Sequence, residues 1–301
     1  MNILILGSGS ATPTLTRNPT AQLLEVSGRL FLIDCGESTQ ISLLRKKIPL
    51  LKINHIFISH LHGDHWLGLP GLISSMHLGG RTEPLHLFCP KGLDEILSII
   101  FNHSDTHLQF QINYHFHSTD SKQLIWENSF LEIFSFPLLH KIQCNGFLFQ
   151  EKPKLRNLRR EAIEIHHIPV EDMMAIKAGS DWINSQGHTI PNALLTTPPK
   201  PSSSYAFCSD TAFHPKLNDY IHQVKVLYHE ATFTQELESR AQSTFHSTAN
   251  QAAQMASLIE TQTLLLGHFS SRYKDTTPFL AEAKNHFPNT MLVYDGFNLD
   301  F

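Results

Sequence analysis

Four side chains able to hold a metal ion fall within six residues of this sequence: His60, His62, Asp64 and His65, in the run Ser59-His60-Leu61-His62-Gly63-Asp64-His65-Trp66. Imidazole nitrogen and carboxylate oxygen suit zinc and related divalent ions. Alternate positions leaving a strand can point at one ion while the next two face another. A solvated polar loop would explain a lone HxH, but HxHxDH where a β-run gives way to a helix favours a metal site. Twenty histidines justify a search for further ligands, although most must be ordinary core or surface side chains.

Three more strand ends supply candidates. The run 133–139 leads to His140, 206–209 to Asp210, and 263–267 to His268. Each alone reads as a structural residue. In the same strand-end setting as the cluster they become candidate ligands, because a loop held by a strand is rigid enough to position one.

The elements that must carry these residues are legible as patterns. Apolar β-rich runs recur at 2–6, 30–33, 55–59, 85–89, 130–136, 147–150, 206–209, 224–228, 263–266 and 291–294. Helical periodicity lies at 40–47, 65–77, 92–101, 248–260 and 278–286, the first and fourth with Ser or Thr just upstream as caps. The mixture predicts an α/β fold, with sheets covered by helices. Residues 151–177 break the pattern: polar and helix-like, they open with Lys152, Lys154, Arg156, Arg159 and Arg160, and a Pro- and Ser-rich stretch, 196–204, returns the chain to a strand. A single domain over 1–301 with an arm inserted at about 151–177 fits better than two domains. The basic cluster has two readings: a helix face paired with Glu151, Glu161 and Glu164, or a surface for an anionic ligand.

Composition bounds the rest. A chain of 301 residues with 41% hydrophobic and 17% charged content buries a sizeable core. The formal charge of −4 gives no overall basic field, so nucleic-acid binding would need a local patch. No window reaches about 18 uninterrupted apolar residues and no basic leader precedes the first strand, so no membrane and a cytoplasmic location are expected. Cys35, Cys89, Cys144 and Cys208 are far apart and form no CxxC pair, which predicts buried free thiols. The run Gly7-Ser8-Gly9-Ser10-Ala11-Thr12 has Thr12 where a dinucleotide fingerprint needs its third glycine, so a tight turn explains it better.

HxHxDH followed by a histidine, an aspartate and a histidine resembles the metallo-β-lactamase superfamily. His229-Glu230-Ala231-Thr232, and Phe245-His246-Ser247-Thr248 with the Gln251-Ala252-Ala253 helix, narrow the resemblance to the ribonuclease Z family. Leu6-Gly7-Ser8-Gly9-Ser10, Asp34-Cys35-Gly36-Glu37 and Gly267-His268-Phe269-Ser270-Ser271-Arg272-Tyr273 extend it over nearly the whole chain. The resemblance implies a four-layer αββα sandwich with an inserted tRNA-binding arm. The implied enzyme is an endoribonuclease that cuts precursor tRNA at the 3′ side of the tRNA body, leaving a 3′-hydroxyl on the tRNA and a 5′-phosphate on the trailer. It also implies two zinc ions per subunit, one on His60, His62 and His140, the other on Asp64, His65 and His268, with Asp210 bridging. By the same resemblance Asp64 accepts a proton, His246 stabilises charge or protonates the leaving group, and Glu230 orients His246, a structural salt bridge being the alternative for Glu230. Asp34 reads equally as an acceptor behind a ligand imidazole and as a helix cap. The resemblance makes the basic cluster a tRNA-gripping surface and the protein a homodimer in which one subunit's arm holds tRNA cut by the other.

One departure stands out: Glu171 and Asp172 follow Ile168-Pro169-Val170 where the family's arm carries glycine and proline. Two competing readings are a hydrolase of small phosphodiesters on the same fold and a non-catalytic RNA-binding module. The motifs around Glu230 and His246 argue against the first. The second predicts lost ligands, and none is lost.

Overall fold

The computed structural model describes residues 1–118 and 120–301. Its strands begin with β1 (Asn2–Gly7), β2 (Ala21–Val26), β3 (Arg29–Ile33), β4 (Ile53–Phe57), β5 (Leu85–Cys89) and β6 (Ile112–Phe116). Then come β7 (Gln123–Glu127), β8 (Leu131–Pro137), β9 (Asn145–Glu151), β10 (Asn157–Leu158), β11 (Trp182–Ile183), β12 (Thr189–Ile190) and β13 (Thr196–Thr197). The last are β14 (Ser204–Cys208), β15 (Val226–Glu230), β16 (Thr263–Gly267), β17 (Thr290–Leu292) and β18 (Asn298–Asp300). The helices are α1 (Thr39–Arg45), α2 (Leu69–Leu78), α3 (Leu93–His103), α4 (Arg160–His166), α5 (Val170–Lys177), α6 (Asn192–Leu195), α7 (Leu217–Tyr220), α8 (Glu238–Thr244), α9 (Ala249–Ile259) and α10 (Thr277–Lys284). Among the described residues, two seven-stranded sheets run in the orders β18-β1-β2-β3-β4-β5-β6 and β17-β16-β15-β14-β9-β8-β7.

The chain divides into two compact units, the larger made of Met1–Glu127, Ile133–Phe149 and Ser203–Phe301. Its central strands β1, β4, β5, β14 and β16 read as largely apolar runs because both faces of each sheet are covered there; Ile3 to Leu6 are all buried. Leu43, Leu72 and Leu97 from α1, α2 and α3 pack on Leu4, Leu23, Ile56 and Leu87 of the first sheet. Leu217, Ala252, Ile259 and Phe279 from α7, α9 and α10 pack on Ala206, Leu227 and Leu264 of the second. The two sheets meet through rings: Phe57 lies edge-on to Phe147 and Phe149, at 5.4 Å in both cases. Each such pair is worth roughly 0.5–1.5 kcal/mol beyond its buried area.

Parallel pairing of β14, β15 and β16 aligns Cys208 with His229, His229 with Leu266, and Glu230 with Gly267. The residues that follow these strands therefore leave the sheet along one edge, the carboxyl edge where open α/β sheets place ligands. From the first sheet, β4 sends its own carboxyl end into the HxHxDH loop, and the Asn145 amide donates to the Ser59 carbonyl at 3.0 Å.

The smaller unit, Asn128–Glu132 with Gln150–Ser202, has its own core of Ala162, Ile168, Ile176, Trp182 and Leu195. Two short antiparallel pairs, β10 with β13 and β11 with β12, brace it. Asn192 Nδ2 donates to the carbonyls of Ile176 and Ser180 at 2.6 and 2.8 Å. Glu171 and Asp172 occupy the first turn of α5, where acidic side chains suit the helix dipole. Asp172 also accepts the Trp182 indole N–H at 2.8 Å.

Several expectations need correction. The helix expected from 65 begins at Leu69, after a 3-10 turn at Gly63–His65. The Cys35 amide donates to the His65 carbonyl at 2.7 Å and the Gly68 amide to the Cys35 carbonyl at 2.9 Å, so tertiary bonds replace the helical ladder there. Ser38 precedes α1 in a left-handed conformation, φ 68°, and its side chain makes no capping hydrogen bond. The cap of α9 is Thr248 itself, one residue later than expected, in a reciprocal box with Gln251. Residues 151–159 are extended rather than helical: Pro153 lacks an N–H, and the Arg156 and Arg159 amides bond the carbonyls of Lys177 and Leu195. Strands β2, β6, β7 and β18 escaped the pattern search because Gln22 and Glu25, or half-exposed edge residues, interrupt their apolar runs.

Candidate metal centre

The structure gathers the seven expected ligands into two donor groups that share Asp210, each with its donor atoms within 4.8 Å of one another. In the first, His62 Nδ1 lies 3.0 Å from His60 Nε2 and 3.1 Å from His140 Nε2. Asp210 Oδ2 stands 3.6 and 3.8 Å from those two Nε2 atoms. In the second, Asp210 Oδ1 is 3.3 Å from His65 Nε2 and 3.0 Å from His268 Nε2. Asp64 Oδ2 is 3.2 and 3.6 Å from the same nitrogens. Asp210 thus turns one oxygen to each group.

For His65, His140 and His268 the far side of the ring fixes the tautomer. His65 Nδ1 donates to Asp34 Oδ2 at 2.7 Å, and the other Asp34 oxygen accepts the Ser59 amide at 2.8 Å. Asp34 is therefore the acceptor behind a candidate ligand, and Ser38 holds the helix-cap position instead. His140 Nδ1 donates to the Phe245 carbonyl at 2.9 Å. Thr232 Oγ1 donates to Glu230 Oε2 at 2.6 Å, so it accepts from His268 Nδ1 at 2.9 Å. With Nδ1 donating outward, the neutral forms of these three rings would present Nε2 lone pairs inward to a metal.

Lone pairs and carboxylates then face one another. Asp64 Oδ2, His65 Nε2, Asp210 Oδ1 and His268 Nε2 are buried, converge, and have no hydrogen-bond partner. Leaving such atoms unsatisfied costs about 1–3 kcal/mol each. One divalent cation accepting nitrogen and oxygen donors removes all four penalties, so the residues fit a metal. Burial alone would lower the His65 imidazole, but the Asp64 and Asp210 carboxylates raise it well above its ordinary value, a positive charge that a bound cation would replace. Burial alone would raise the Asp210 carboxyl, but His268 and His65 hold it well below the usual range. Asp64 is lowered too, His65 outweighing burial. Burial and the neighbouring His65 keep His60 neutral.

Glu230 and His246 stand beside the second group. The Glu230 carboxylate is fully buried, and its Oε1 lies 2.8 Å from His246 Nδ1 while also accepting the Thr211 amide at 3.0 Å. Burial lowers the His246 imidazole, but the Glu230 charge and hydrogen bond prevail and raise it to about 9. A cavity of about 530 Å³ opens over Asp64, Asp210, His246 and His268, with Arg240 and Arg272 on its wall.

The basic cluster is not part of this centre. Lys154 pairs with Glu151 at 2.6 Å, Lys152 faces Glu132 at 3.9 Å and Arg160 pairs with Glu164 at 3.0 Å. Arg156 and Arg159 donate to Thr196, to its hydroxyl and its carbonyl respectively. Thr232, Ser59 and Arg240 were not singled out from the sequence. Thr232 ends the quoted motif and Ser59 precedes HxHxDH, so both lay beside a signal. Arg240 sits on a polar helix with none. All four cysteines are buried and free, as their spacing suggested. No helix among the described residues is long and apolar enough to cross a membrane.

Comparison with known proteins gives this geometry a lineage. A ribonuclease Z from Parabacteroides distasonis is 42% identical over 298 residues, 99% of this chain and 98% of the relative. The crystal structure of human tRNase Z, short form, superposes with a TM-score of 0.74 at 24% identity, covering 100% of this chain and 99% of that one. The metallo-beta-lactamase fold protein YhfI from Bacillus subtilis does so with 0.69 at 15%, covering 99% and 98%. A family model described as Anti-Pycsar protein Apyc1 matches residues 1–289. The chain therefore belongs to the ribonuclease Z family, on the four-layer metallo-β-lactamase fold, and falls within the family that the Apyc1 model describes.

Proposed function

We propose that this enzyme is a zinc-dependent endoribonuclease that cuts precursor tRNA at the 3′ side of the tRNA body. The observation that carries the reading is the buried Glu230–His246 pair beside two donor groups that share Asp210, in a chain related over its length to a ribonuclease Z. His60, His62 and His140 would hold one zinc ion, Asp64, His65 and His268 the second, and Asp210 would bridge them. Two bound ions supply water activation near neutral pH and neutralise charge on the phosphate oxygens.

Asp64 accepts the proton of the attacking water. As the P–O3′ bond breaks, His246 gives a proton to the departing 3′-oxygen, which leaves a 3′-hydroxyl on the tRNA and a 5′-phosphate on the trailer. Glu230 orients the imidazole and keeps it charged, and its own burial in a net of Thr211 and Thr232 donors makes it rigid. Residues 151–177 serve as the arm that grips tRNA, with Lys152, Lys154, Arg156, Arg159 and Arg160 toward phosphate. The working form is a homodimer, and its place is the cytoplasm, where precursor tRNA would meet it.

The deciding experiment incubates the purified protein with a 3′-extended precursor tRNA and with bis(p-nitrophenyl) phosphate, with and without chelator, and maps product ends. Chelator-sensitive cleavage after the tRNA body supports the proposal. Turnover of the small diester alone would replace it with a small-molecule phosphodiesterase.

A further inference from the structure

His246 belongs to two cavities. One is the cavity over the donor groups, with Arg240 and Arg272. The other, of about 490 Å³, lies on the other side of α8 and is lined by Leu139, Phe213, Glu238, Gln242 and Phe245. Helix α8 forms the partition: Arg240 and Thr244 face the first space, Glu238 and Gln242 the second.

The two spaces differ in chemistry. The first has two guanidinium groups with no acidic partner among the described residues and suits phosphate oxygens. Besides His246, the second has no cationic side chain on its wall, and the Glu238 carboxylate there opposes a phosphate. What it does offer is the rings of Phe213 and Phe245, the aliphatic side chain of Leu139, the amides of Gln242 and Gln251 and one carboxylate. Phe245 is 37% exposed and Leu139 43%, so both present apolar surface to this space. Phe245 holds a left-handed backbone, φ 59°, and its carbonyl accepts from the His140 ring, so the backbone that carries this phenyl group is tied to the metal donors. Glu238 is fixed as well, by the amides of Gln235 at 2.7 Å and Gln251 at 3.1 Å.

We infer that the second cavity is a nucleobase subsite, in which a base adjoining the scissile phosphate stacks on Phe245 with its polar edge toward Gln242 and Glu238. This rests on the proposed cleavage of RNA. A diester held over Asp210 has a nucleoside on each side, and His246 contacts both spaces, so a base one residue from the scissile bond is the planar, uncharged, hydrogen-bonding group within reach. Stacking is sequence-tolerant because every base has a π-face, while a carboxylate and an amide at its edge favour an exocyclic amino group.

The test is single-turnover cleavage of a 3′-extended precursor tRNA carrying an abasic nucleotide immediately 5′ or immediately 3′ of the scissile phosphate, by the wild type and by Phe245→Ala. One of the two abasic substrates should slow the wild type roughly tenfold or more, the scale of one lost base–aromatic stack. Phe245→Ala should cleave the intact substrate about that slowly and lose nothing further with the same abasic substrate. The position showing this non-additivity identifies which nucleoside occupies the cavity. Phe245→Trp should keep the rate and Phe245→Leu should not, which separates stacking from mere filling if the alanine variant folds poorly. Metal content must stay that of the wild type. Additive losses, insensitivity to both abasic positions, or full rescue by leucine would overturn the subsite while leaving tRNA cleavage intact. Failure of the wild type to cut any precursor tRNA would overturn the proposed function and the subsite with it.

Discussion

Glu230 Oε1 lies 2.8 Å from His246 Nδ1, the carboxylate wholly buried and the imidazole 17% exposed at the cavity wall. The charge that tunes the ring is thus hidden from solvent while the ring itself can reach substrate. His246→Ala should lower turnover roughly 100-fold or more, the scale of a positioned acid. Glu230→Gln should give a smaller loss. Metal content should not change in either, and a coincident loss of metal, read by elemental analysis, would show the pair to be structural.

Metal analysis of the purified protein should return about two zinc ions per chain, and chelation should abolish activity. Because Asp210 turns one oxygen to each donor group, Asp210→Asn should weaken both sites together. A variant that loses one ion and keeps the other at wild-type affinity would rule out the bridging assignment.

Gly36 packs directly against the loop bearing Asp64. A Cβ added there would collide with the Asp64 carbonyl oxygen and stand 2.7 Å from Pro19 Cβ. Gly36→Ala should therefore displace the ligand loop and weaken metal binding by about 10- to 100-fold, the usual scale when a ligand's support is disturbed. Gly71→Ala meets only the Gln40 side chain, at 3.6 Å, and is the matched control. Equal zinc affinity in both variants, measured by competition with a chromophoric chelator, would refute the loop argument.

His55 is 7% exposed, stacked on His86 at 5.2 Å and edge-on to Trp126 at 5.0 Å. Burial first, then His86, lowers it from 6.5 to about 4. The fold favours the neutral ring, so its contribution is complete above about 6.5 and is lost as pH falls from there through 4, in total roughly 3 kcal/mol. His55→Phe should lose less stability than the wild type between pH 6.5 and 4 in denaturant titrations. Parallel curves for the two proteins would mean that folding does not shift the His55 pKa.

Replacing Arg156, Arg159 and Arg160 with alanine should weaken precursor-tRNA binding and flatten its salt dependence by about one unit of slope per phosphate contact removed. Hydrolysis of bis(p-nitrophenyl) phosphate should be unaffected. Arg156 and Arg159 also hydrogen-bond Thr196, so the melting curve of the variant must be read beside its affinity. Wild-type affinity and slope in a folded variant would remove the cluster from the tRNA-binding surface.

The homodimer is testable by mixing. A subunit lacking His246 and a subunit with the arginine substitutions should regain activity together if one subunit's arm serves the other's centre. Two inactive partners that stay inactive after exchange would exclude that division of labour.

The sequence by itself determined the donor types of the candidate metal centre and most of the strands that carry them. HxHxDH is a local spacing, and the apolar runs ending before Asp210 and His268 are local patterns, because burial on both faces leaves a continuous hydrophobic trace. The helix near 248–260 was legible too, although its cap is Thr248 itself, in a box with Gln251, rather than a residue upstream of it. What only the tertiary structure decided were relations between distant segments. The division of Asp210 between two donor groups depends on the register of β14, β15 and β16. Asp34 became the partner of His65 because backbone bonds from Cys35 and Gly68 hold that turn, the same bonds that delay α2. Residues 151–159 looked helical by composition yet are extended, because their amides bond carbonyls some 20 or more residues away. Spacing along the chain reports which groups can act, whereas their meeting depends on hydrogen bonds and strand registers that no single segment contains.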